Sequence, residues 1–167
     1  MHSALWAGIV SGSSGAPQFG SWQAVEKGDL YGQFKSVGEF TRQSGLLSKK
    51  GLLAASVGVE STEKDSLRVL GRSGKDFAAL WISNKGTAET GGKVTLAGLQ
   101  SGEYKATWWD TAAGKPLSED SVTVLGANPA ALTLPAVKQD VAVWISRANE
   151  KAAAKLDSGK KKGKAGG

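Results

Sequence analysis

The sequence predicts a mainly β fold, an antiparallel β-sandwich of about eight strands preceded by a helix–strand–helix unit. Three observations lead there. From Leu52 onward, short apolar runs recur every eight to twelve residues between turn signals. Before Ser44 the apolar spacing is helical instead. In Glu103–Asp110, Tyr104, Ala106 and Trp108 alternate with Glu103, Lys105, Thr107 and Trp109, the period of a half-buried strand.

In the first region, Leu5, Trp6, Ile9 and Val10 recur at i, i+1, i+4 and i+5, one face of a short helix that ends in the cluster Ser11–Gly15. Pro17 prevents continuation, so Ala16–Trp22 reads as extended. Asp29 is the expected cap of a second helix whose face carries Leu30, Tyr31, Phe34, Val37 and Phe40 or Thr41. A lone strand has no partner for its backbone, and two short helices bury little. Two readings follow: the end of a larger α/β layer, or a helical hairpin packed on the sandwich.

Strands are expected at Leu52–Val59, Leu67–Gly71, Phe77–Asn84, Lys93–Ala97, Glu103–Asp110, Ser121–Leu125, Ala131–Leu134 and Asp140–Ser146, separated by turns such as Ser73-Gly74, Gly91-Gly92 and Asn128-Pro129. Phe77–Ile82 is apolar throughout, so it belongs mid-sheet with cover on both faces, and the first region is the natural cover. Three domains result: residues 1–45, the sandwich 50–147, and a Lys/Gly-rich tail 148–167. In the tail, Glu150–Leu156 is a candidate short helix and the remainder is expected to be disordered.

Composition narrows the function. The net charge is +6, yet residues 1–146 hold 14 basic and 13 acidic side chains, so most of the excess lies in the tail. The folded part shows no basic footprint, and no nucleic-acid partner is expected. With no Cys and a single His, neither a metal site nor a disulfide framework is expected, and nothing implies a cofactor. No run reaches the ~20 apolar residues of a membrane span. Met1–Val10 lacks the basic start of an export signal, which leaves localisation open.

Sites with chemistry are few. Gly12-Ser-Ser-Gly15 lacks the Lys-Ser/Thr ending of a phosphate loop and reads as the end of a helix. Glu39 reads as a solvated helix face. Glu26 sits in an expected loop but has no partner carboxylate for hydrolysis. No catalytic residue is assigned. Trp22, beside Gly20 and Ser21, reads either as a sugar-stacking platform or as a ring buried between helices and sandwich. Trp109 faces away from the sandwich core and reads either as a second platform or as packing against the first region.

The run His2-Ser-Ala-Leu-Trp-Ala-Gly-Ile-Val-Ser-Gly-Ser-Ser-Gly-Ala-Pro, then Trp22, then Asp29-Leu-Tyr-Gly-Gln-Phe-Lys, resembles the end of the (β/α)₈ barrel of cellulase-like glycoside hydrolases. The stretches Leu67-Arg-Val-Leu-Gly, Ala79-Leu-Trp-Ile-Ser-Asn, Gly102-Glu-Tyr-Lys-Ala-Thr-Trp-Trp-Asp-Thr-Ala-Ala-Gly, and Leu134-Pro followed by Asp140-Val-Ala-Val, resemble the β-sandwich that follows such barrels. Sandwiches with this Trp-Asp-Thr-x-x-Gly hairpin are also labelled collagen-binding domains of secreted hydrolases. The resemblance implies a retaining O-glycosyl hydrolase whose two catalytic glutamates lie upstream of His2, so the chain alone is expected to be inactive. It implies a polysaccharide partner, an upstream half of the enzyme as a second partner, and a parent family that is usually secreted. Within it, Trp22 matches the end of the eighth barrel strand as a subsite platform. A non-catalytic polysaccharide- or matrix-binding sandwich and a purely structural domain are the alternatives.

Overall fold

A computed structural model of the chain describes residues 1–13, 22–63 and 65–148. The expected strand Ala16–Trp22 lies outside these residues except for Trp22, and so do the expected tail helix and disordered tail.

Three helices come first: α1 (His2–Ser11), α2 (Trp22–Lys27) and α3 (Tyr31–Ser44). Leu5, Trp6 and Val10 of the expected face of α1 are buried. The helix stops at Gly12, which has φ 76°; a Cβ there would lie 2.6 Å from the Arg72 guanidinium. The left-handed backbone calls for glycine, whereas the guanidinium is the end of a flexible side chain that could move aside. The helix-ending reading of this segment therefore holds for Gly12 and Ser13.

Two local expectations need correction. Asp29 does not cap α3. It occupies a left-handed turn closing α2, at φ 47°, while Leu30 takes the cap position without any side-chain capping bond. The expected α3 face is met only in its second half, where Val37 packs on the core and Phe40 and Thr41 are buried. Ser36, Phe40, Thr41 and Ser44 are buried, whereas Tyr31 and Phe34 are exposed. Ser36 is buried where its hydroxyl donates to the Thr111 carbonyl at 2.7 Å.

The remainder is antiparallel β-structure in two sheets. One has six strands in the order β1 (Leu53–Ala54), β3 (Leu67–Ser73), β4 (Phe77–Asn84), β9 (Asp140–Arg147), β6 (Gly102–Asp110), β7 (Lys115–Val124). The other has β2 (Val57–Ser61), β5 (Thr90–Leu96) and β8 (Ala130–Val137). The expected strand Leu52–Val59 divides because the chain changes sheets: Leu53 pairs with Ser73 in the larger sheet, and Val57 pairs with Leu96 in the smaller.

Two hydrophobic cores lie on opposite faces of the six-stranded sheet. Ala78, Leu80, Ile82, Tyr104, Ala106, Trp108, Val143 and Ile145 meet Val94, Leu96, Leu132 and Leu134 of the smaller sheet. Phe77, Ala79, Trp81, Trp109, Ala142 and Trp144 point the other way, onto Trp6 and Val10 of α1 and Phe40 of α3. This strand alternation buries β4 on both faces and makes the helical region the second cover. The fold is a β-sandwich with a helical layer on its outer face.

Candidate functional site

Trp109 is fully buried, so it is not an exposed platform. Its ring lies 6.0 Å from Phe40 and 5.8 Å from Trp144, centroid to centroid. Phe40 also meets Trp6 edge-on at 5.1 Å. The indole N–H of Trp109 donates to Ser36 Oγ at 3.4 Å, and Ser36 Oγ donates to the Thr111 carbonyl at 2.7 Å. Of its two readings, packing against the first region is the one found.

The hairpin after Trp109 extends this docking. Asp110 Oδ1 accepts the backbone N–H groups of Ala112 at 3.0 Å and Ala113 at 2.8 Å, which ties the turn. Gly114 follows at φ 67°, where a Cβ would meet Ser36 Cα and Cβ at 3.2 Å. Thr111 Oγ1 donates to Asp140 Oδ1, and Asp140 Oδ2 pairs with His2 Nε2 at 2.7 Å. Thus the residues of Trp-Asp-Thr-x-x-Gly clasp both α1 and α3. The motif is visible in the sequence, whereas its partners Ser36 and His2 stand far away in the chain and carry no local signal.

His2 and Asp140 border a cleft of about 560 Å³ that Gln33, Ser83 and Gln139 also line, and Thr111 lines a neighbouring cleft with Asp140. The order of groups decides what it can do. A nucleophile relay needs imidazole between hydroxyl and carboxylate, so that the base takes the hydroxyl proton. Here the carboxylate stands in the middle and accepts from Thr111, which leaves that hydroxyl unactivated. The arrangement joins helix to sheet.

Glu26 lies on α2 rather than in a loop, and it is exposed. Glu39 accepts from Arg42 at 2.5 Å on the solvated side of α3, and this hydrogen bond holds its carboxyl below the ordinary value. Neither faces a second carboxylate across a cleft among the described residues. Among those residues, too, no helix is long and apolar enough to cross a membrane.

Trp22 opens α2 with 66% of its surface exposed. Tyr31 and Phe34 of α3 are exposed as well, so all three exposed aromatics among the described residues fall between residues 22 and 34. Every aromatic side chain of the sandwich (Phe77, Trp81, Tyr104, Trp108, Trp109, Trp144) is buried. Aromatic surface available to a ligand belongs to the helical region. No family model matches the chain, and no curated protein matches it.

Proposed function

We propose that this chain is the C-terminal part of a cellulase-like glycoside hydrolase, in which the sandwich braces the last helices of the catalytic barrel and performs no hydrolysis itself. The observation that carries the reading is the division of aromatic residues. The outward face of the large sheet uses Phe77, Trp81, Trp109 and Trp144 to hold α1 and α3, while Trp22 stays open on the helical side. A brace needs rigid, buried docking contacts, whereas a sugar subsite needs an accessible ring. The catalytic glutamates in this reading lie upstream of His2. Reading the DNA upstream of Met1 in all frames tests it: barrel strands with a glutamate-bearing motif are expected, and their absence overturns the proposal.

A second reading, non-catalytic polysaccharide binding, is favoured by the exposure of Trp22. Retention of the intact chain on insoluble polysaccharide, lost in Trp22→Ala, supports it; equal retention of the variant removes Trp22 from consideration.

A further inference from the structure

A near-zero net charge over residues 1–146 says nothing about where the charges lie. One end of the sandwich gathers cations from segments distant in sequence. Lys49 and Lys50 precede β1, and Lys75 lies in the β3–β4 turn; together they line a cleft of about 400 Å³ whose floor includes Gly51 and Gly74. A second cleft of about 380 Å³ shares Gly51, Gly74 and Lys75 and adds the apolar surface of Leu53, Ala54 and Ala97. Leu53 is 74% exposed there.

The acids near this end are accounted for. Asp76 lines the first cleft but accepts from Arg147 at 2.6 Å. Glu103 accepts from Thr123 at 3.0 Å on the neighbouring strand. Among the described residues no carboxylate forms an ion pair with Lys50 or Lys75. Arg147, paired with Asp76, is the last residue of β9. From Ala148, tied to the Glu103 carbonyl at 3.0 Å, the sequence continues with six lysines against two acids.

We propose that this end is a docking surface for an anionic polysaccharide, with the lysines meeting its carboxylates and the Leu53 cleft taking a less polar sugar face. Size fits, since ligand clefts run to roughly 300–1,000 Å³. Ammonium groups suit spaced single charges, because Lys acts as a mobile point charge. A single-stranded nucleic acid is the competing polyanion, but base stacking needs accessible rings. Among the described residues the only ring lining either cleft is Phe77, which is 2% exposed and has the Lys49 ammonium 5.1 Å from its centroid. The surface is separate from Trp22, so its failure and that of the hydrolase reading are distinguishable.

The test measures binding of the intact chain to polygalacturonate, to a neutral cellulose derivative and to a single-stranded oligonucleotide. Binding to polygalacturonate alone is expected, and it should weaken steeply as salt rises, because screening shortens the reach of exposed charges. Lys50→Gln/Lys75→Gln keeps the Lys49 contact with Phe77, so it should melt like the parent yet bind about tenfold more weakly at low salt. Equal affinity of that folded variant, equal binding of the neutral polymer, or tighter binding of the oligonucleotide overturns the proposal.

Discussion

Replacing Phe40 by Ala removes the ring on which the helical layer closes. Phe40 is fully buried and meets Trp6, Trp144 and Trp109 edge-on at 5.1, 5.5 and 6.0 Å. Truncating a buried Phe costs about 3–5 kcal/mol. The upper part of that range applies here, because three edge-on aromatic contacts vanish and each is worth roughly 0.5–1.5 kcal/mol beyond area burial. For a chain of this size, about 4 kcal/mol corresponds to a fall in Tm on the order of 10 °C. Near-UV circular dichroism, which reports the packed indoles, should follow one transition shifted by that amount. Phe40→Leu keeps most of the volume and should lose less than half as much. If Phe40→Ala costs under about 1 kcal/mol, or if the helices melt separately while the indole signal stays, the helical layer is not part of one cooperative core and the reasoning fails.

Gly114→Ala combines a left-handed backbone with a Cβ 3.2 Å from Ser36 Cα, so hairpin and α3 must part by a few tenths of an ångström. A loss of about 1–3 kcal/mol in urea melts is expected. Trp81→Phe and Trp108→Phe remove similar volume but differ in hydrogen bonding. Trp108 Nε1 donates to Asp120 at 2.7 Å, whereas Trp81 Nε1 is buried without a partner. Trp108→Phe should therefore be the costlier in chemical denaturation, by roughly 1 kcal/mol. Burial pushes the Tyr104 phenol above its ordinary value, and its hydroxyl donates to the Gln100 carbonyl at 2.8 Å. Ionisation is thus disfavoured in the fold: this contribution is complete below pH about 10 and is lost as pH rises through the raised folded value. Urea midpoints across alkaline pH should fall less steeply in Tyr104→Phe than in the parent.

The strands were legible wherever one face is buried. Phe77–Asn84 matches β4 at both ends, and the alternation of Glu103–Asp110 divides Tyr104, Ala106 and Trp108 from Trp109 as expected. The start of β7 was missed because Lys115–Ser121 is exposed along an edge and shows no hydrophobic period. The division of β1 from β2 left no signal either, since a change of sheet depends on partners elsewhere in the chain. The six-residue α2 is too short for periodicity to identify. In α3 hydropathy placed Val37, Phe40 and Thr41 on the core side but failed for Tyr31 and Phe34, which are exposed. Close approach of the hairpin favours Ser36 over a bulky residue, and size, not hydropathy, sets that contact. Burial of Trp109 and exposure of Trp22 followed from tertiary packing, which is why each ring kept two readings in the sequence.

The double burial of the six-stranded sheet bears on whether the sandwich is an independent module. An antiparallel sheet commonly keeps one face in water, and its strands then alternate between apolar and polar residues. Here β4, β6 and β9 carry large apolar side chains on both faces. Without the helices, Phe77, Trp81, Trp109, Ala142 and Trp144 would form a contiguous apolar surface of the kind that drives association. The hairpin hydrogen bonds to Ser36 and the Asp140 pair with His2 would also lose their partners. The sandwich and its helical layer therefore form one unit, because the apolar side chains that would be open to water without the helices are the ones that hold them in place.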